Sequence, residues 1–77
     1  MKELLITLAS GLVENPEQVV VTVDEPNAEG VTVYHLHVAQ ADMGRIIGRQ
    51  GRIANAIRVV MRAVANRNNQ TISVEIE

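Results

Sequence analysis

The chain has no cysteine, no tryptophan and no phenylalanine, and it carries one tyrosine and two prolines. Without cysteine there is neither a disulfide nor a thiolate metal site, and a cytosolic setting is the expectation. With a single aromatic residue the core must be aliphatic. No apolar run approaches the ~18 residues that a membrane span requires, so no membrane association is expected. The opening Met1-Lys2-Glu3-Leu4 lacks a cationic stretch followed by an apolar run and a small-residue cleavage site, so no secretion signal is read there. What the chain does have is 47% hydrophobic residues in 77 positions. That length is one domain, residues 1–77. A domain so small buries only about 60% of its extended surface, so nearly every apolar side chain is needed for packing. With no covalent or metal staple, self-association is a further source of stability.

Charge is short of one sign in a single place. Residues 45–67 contain Arg45, Arg49, Arg52, Arg58, Arg62 and Arg67 and no acid, whereas the rest of the chain holds Lys2 and all nine acids. The net charge of −2 conceals this separation. Such a basic block marks a nucleic-acid or phosphate ligand, although a solvated helix face would carry the same charge. The choice of arginine favours the first reading, because its fork matches phosphate geometry.

Leu5, Leu8 and Leu12 recur at helical spacing, which predicts a helix over residues 2–13 that stops near Glu14-Asn15, since the residue before Pro16 is pushed out of the helical region. Ile6 and Val13 fall off that stripe and suggest a second contact surface. Val19–Val23 is β-branched and predicts a strand. The turn-rich stretch from Asp24 to Gly30 carries three acids and no base, and should repel phosphate. Residues 31–38 predict a second strand, with Tyr34, Leu36 and Val38 on one face and Val33, His35 and His37 on the other. Asp42 is placed to cap a short helix, Met43–Ile47, ended by Gly48. A second helix starts near Arg52, with Ile53, Ile57, Val60 and Val64 as its buried stripe and Met61 at the margin. Ile72, Val74 and Ile76 alternate with polar residues as a last, half-buried strand. The order is α-β-β-α-α-β: an α+β domain with a three-stranded mixed sheet and its helices on one face.

The chemistry concentrates at Ile46-Ile47-Gly48-Arg49-Gln50-Gly51-Arg52-Ile53. Two glycines three apart let the backbone turn without a Cβ in the way, and another backbone can approach closely. The turn feeds a helix start, where N–H groups and the dipole favour an anion. Arg49 and Arg52 add full positive charge. A Walker loop would need Gly-Lys-Ser/Thr, and Arg52 follows Gly51 instead. A dinucleotide fingerprint would need Gly-x-Gly-x-x-Gly after a strand, and Gly44, Gly48 and Gly51 have neither that spacing nor that context. Helix–Gly-x-x-Gly–helix is the arrangement with which KH modules clamp about four nucleotides.

Residues 47–57, Ile-Gly-Arg-Gln-Gly-Arg-Ile-Ala-Asn-Ala-Ile, resemble the KH signature. Element order and length together resemble the small single-KH bacterial RNA-binding proteins of the KhpA (YlqC) type, over essentially the whole chain. The resemblance implies a type II KH fold, with residues 1–29 as an N-terminal extension and 30–77 as the KH core. It implies single-stranded RNA held at Gly48-Arg49-Gln50-Gly51, flanked by Arg45 and Arg52. Bases would lie in a groove lined by Ile46, Ile47, Ile53 and an aliphatic strand edge around Leu36. It further implies an RNA chaperone or post-transcriptional regulator that acts as a homodimer or with a larger KH-containing partner, in the cytoplasm, with an influence on the cell envelope and cell shape.

Other chemistries find little support. His35 and His37 share a strand face, but no third ligand is evident, so no metal is expected. The carboxylates show no pairing for acid–base work, and Ser10 and Ser73 have no His/Asp company, so neither enzyme activity nor a cofactor is expected. The rival to RNA binding is a KH-shaped assembly module with little RNA affinity, dimerising through Ile6, Val13 or the open sheet face.

Overall fold

The computed structural model describes the backbone of residues 1–77 and the side chains of all but Arg49. Helix α1 spans Lys2–Ser10 and buries Leu5 and Ala9. It ends earlier than Pro16 requires. The Gly11 N–H returns to Thr7 and that of Leu12 to Ala9, and the chain then turns so that the Glu14 and Asn15 amides reach the Asp42 carboxylate. Leu12, expected in the apolar stripe, is consequently exposed. Ile6, expected off the stripe, packs against the core. A single 3₁₀ turn, Pro16–Gln18, leads into strand β1, Val20–Val23.

β1 runs antiparallel to β2, Val31–His37, with Val20 opposite His37 and Val23 opposite Tyr34. In the connection between them, the Asn27 side-chain oxygen accepts from the Glu29 and Val31 amides, and Gly30 takes a left-handed φ of 79°. β2 is also parallel to β3, Thr71–Ile76. A parallel neighbour needs a crossover, and the helical segment α2, Gln40–Arg67, supplies it. The sheet order β1-β2-β3 places β2 at the centre.

α1 and α2 pack on the same side of the sheet. Leu5 and Ala9 from α1, Val21, Tyr34, Leu36 and Val74 from the strands, and Ile57 and Met61 from α2 form one buried cluster. The opposite face presents Thr22, Val33, His35, His37, Ser73 and Glu75. The fold is thus the α+β arrangement with a three-stranded mixed sheet that the pattern predicts.

Two details of α2 differ from expectation. Its two arms are not separated by a loop but meet at a left-handed corner, where Gln50 (φ 65°) and Gly51 (φ 70°) bend one continuous helical segment. Its buried stripe is Ala54, Ile57, Met61 and Ala65, while Val60 is 41% exposed and Ile53 and Val64 are half-buried. Met61 therefore stands at the centre of the packing and Val60 outside it. The far end closes with Asn69 left-handed (φ 56°) and the Gln70 amide bonded to Ala65, a common way to end a helix.

Candidate nucleic-acid interface

The first arm of α2 presents Gly44 and Gly48 one turn apart, on the same helical face. Neither has a positive φ. A Cβ built on either would meet no heavy atom within 4 Å among the described residues outside its own helix. Neither conformation nor internal packing therefore calls for glycine at 44 or 48. Gly51 differs: its φ of 70° lies where side-chain-bearing residues are strained. Gln50 occupies the same region at a cost of about 1–2 kcal/mol, and unfavourable backbone of this kind gathers at functional sites.

Gly44, Arg45, Gly48 and Ile53 line a groove of about 450 Å³. One wall is bare backbone, another is aliphatic, and a guanidinium stands at the rim. Arg45 donates from Nη2 to Glu14 Oε1 at 2.7 Å. Beneath it, Asp42 is 2% exposed and accepts from the backbone amides of Glu14 (3.1 Å) and Asn15 (3.2 Å) and from Asn15 Nδ2 (3.2 Å). Burial works against its ionisation, but the Glu14 amide, both Asn15 donors and nearby Arg45 outweigh it and hold the carboxyl below its ordinary value. Asp42 thus pins the α1–β1 connection to the first turn of α2 instead of capping its own helix by a side-chain bond.

A second hollow, of about 90 Å³, lies between the other arm of α2 and β3, lined by Arg58, Arg62, Ile72, Ser73 and Val74. Arg58 Nε donates to the Val74 carbonyl at 3.2 Å. Among the described residues, Arg52, Arg58, Arg62 and Arg67 make no salt bridge.

The residues singled out in the sequence divide clearly. Arg45, Gly48 and Ile53 come together at the larger groove, and Gln50, Gly51 and Arg52 form the corner beside it. The Arg49 side chain lies outside the described residues. Ile47 is 50% exposed but does not line the groove. Ile46 and Leu36 are wholly buried and cannot touch a ligand. Leu36 fails for a topological reason: it belongs to the central strand, so the strand edge beside α2 is β3, at Ile72–Val74. Sequence reasoning missed Gly44, whose four-residue spacing from Gly48 was the available signal, and the β3 edge, which no spacing announces. His35, the half of the histidine pair with resolved contacts on both ring nitrogens, meets Asp24 Oδ2 and Glu77 Oε1, each at 2.8 Å.

Residues 2–76 match the family described as KhpA/KhpB, KH domain. The chain belongs to that family. Among curated relatives it is 45% identical over 76 residues to the RNA-binding protein KhpA of Listeria monocytogenes, covering 99% of this chain and 97% of that one. It is 47% identical over 76 residues to the RNA-binding protein KhpA of Clostridium acetobutylicum, covering 99% of both. These relatives are named for RNA binding and not for an enzymatic reaction. Two solved structures share the fold. Aquifex aeolicus Era, bound to GDP and aluminium fluoride, superposes with a TM-score of 0.67 at 20% identity, over 97% of this chain and 28% of that one. Era in complex with MgGDPNP and a segment of 16S ribosomal RNA gives 0.59 at 18% identity with the same coverages. The left-handed corner at Gln50-Gly51 thus lies within a KH domain, inside one helical segment.

Proposed function

We propose that this KH domain binds single-stranded RNA, with the sugar–phosphate backbone drawn along Gly44 and Gly48 to the corner at Gly51. The observation that carries the reading is the bareness of Gly44 and Gly48, which nothing inside the molecule requires and which an incoming backbone would use. Arg45, Arg49 and Arg52 supply phosphate contacts. Bases rest against Ile53 and run toward the β3 edge and Arg58. Residues 30–77 act as the KH core and 1–29 as an extension that braces it. With Tyr34 buried, no aromatic ring is offered for stacking, and affinity rests on backbone, aliphatic and base-edge contacts.

Contacts to two or three phosphates give a log–log salt slope of about −1.4 to −2.1, from about −0.7 for each on a single strand. A titration with a short single-stranded RNA measures it, and a slope near zero would contradict the reading. Replacing Arg49 and Gln50 together by Asp should weaken binding at least about tenfold through charge reversal at the corner, with little change in melting temperature.

In the cell this activity fits a cytoplasmic RNA chaperone or post-transcriptional regulator working with a second KH-domain protein and affecting the envelope and cell shape. A second reading, a homodimeric assembly module, is favoured by the exposed Val59 and Val60 on α2 and Val20 on the open sheet face. Native mass measurement with and without RNA tests it. Dimerisation alone, with a flat salt response, would leave only that role.

A further inference from the structure

Arg45 stands at the rim of the glycine-floored groove, yet its guanidinium is already engaged by Glu14. That acid is not a loose surface residue. Its own backbone amide and both donors of Asn15 are held by the buried Asp42 carboxylate, which belongs to the same helical arm as Arg45. Pro16 immediately follows and starts the 3₁₀ turn. The peptide around Glu14 is therefore fixed over α2, and the carboxylate is presented to Arg45 with its backbone already ordered. A carboxylate and a phosphate offer the same paired oxygens to an arginine fork.

We propose that Glu14 is an intramolecular competitor for the phosphate that Arg45 takes up, so that the N-terminal extension limits the affinity of the groove for RNA. The inference rests on the RNA-binding reading above and adds a residue that acts against it. In the free protein Glu14 occupies the guanidinium; in the complex a phosphate replaces it and the carboxylate turns to solvent. The pair is exposed, so its release is worth the modest amount typical of surface ion pairs.

Glu14→Gln keeps the backbone amide that Asp42 holds and removes only the competing charge. Glu17→Gln makes the same change of charge within the 3₁₀ turn, at a residue that forms no salt bridge among the described residues. Binding of a short fluorescent single-stranded RNA of mixed sequence is measured for the parent, both variants, Arg45→Gln and the Glu14→Gln/Arg45→Gln double variant, with thermal melts to confirm folding. Glu14→Gln should tighten binding about two- to five-fold, the scale of an exposed pair. Glu17→Gln should leave it unchanged, and the gain should vanish in the Arg45→Gln background. Equal or weaker binding by Glu14→Gln, an equal gain from Glu17→Gln, or a gain that survives loss of Arg45 overturns the inference while leaving RNA binding intact. Absence of binding by every protein overturns the functional reading and the inference with it.

Discussion

A methyl group added at Gly48 would point into open space, whereas one added at Gly51 would sit on a backbone with φ of 70°. The two substitutions to alanine should therefore part company. Gly48→Ala fills a right-handed helical position and should raise stability by about 0.5–1 kcal/mol, the usual gain over glycine within a helix. It should nonetheless weaken RNA binding, because the added carbon stands where the ligand backbone passes. Gly51→Ala should cost about 1 kcal/mol or more from left-handed strain. Gln50→Gly should relieve the same strain and gain about 1 kcal/mol. Thermal melts paired with RNA titrations check all three. A loss of stability in Gly48→Ala would mean that the glycine serves the fold and not a ligand.

Among the elements, α2 shows both the reach and the limit of pattern reading. Its two arms, read as separate helices, and the position of the corner between them within two residues follow from spacing, but their continuity from Gln40 to Arg67 does not. Its buried face does not, because Ala54 and Ala65 carry little hydrophobic signal while Val60 carries much, and the corner sets the rotation of the second arm. Met61, assigned to the margin, is wholly buried, so Met61→Ala should cost 2–5 kcal/mol, roughly the range for emptying a core position, whereas Val60→Ala should cost far less. Chemical denaturation of the two variants separates these expectations.

The sheet offers a pH test. The hydrogen bond to Asp24, reinforced by Glu77 and opposed by burial, raises His35 above its ordinary value of 6.5. His37 Nε2 lies 3.5 Å from the same Glu77 oxygen, and Glu75 is opposite His35 on β3. The protonated imidazole ties the exit of β1 to the end of β3. Its contribution is fully present below about pH 6.5, the unfolded value, and is lost as pH rises through the higher folded value. The melting temperature should fall across that interval, and His35→Gln should flatten the change. An unaltered profile in the variant would place the titration elsewhere.

For the molecule as a whole, two layers and the order of elements were legible because hydrophobic period and turn residues are local signals. Strand order was not, because pairing is settled by which edge the α2 crossover leaves open. That single piece of topology moves Leu36 from a ligand groove to the middle of the core and puts the β3 edge in its place. Charge is likewise arranged at the scale of the fold. The acidic connection Asp24–Gly30 enters β2 at one end, while α2, with all six arginines, departs from the other. The acids of that connection thus lie at the far end of β2 from α2, and Glu14 and Asp42 are the acids that meet Arg45 beside the groove.

That the groove receives RNA is tested most directly by following the backbone amide resonances of the full chain as a short single-stranded RNA is added. The account predicts the largest shifts at Gly44, Arg45, Gly48, Gly51, Arg52 and Ile53, with smaller ones along Ile72–Val74. Shifts confined to the open sheet face or to Val59 and Val60, with the glycine amides unmoved, would contradict it.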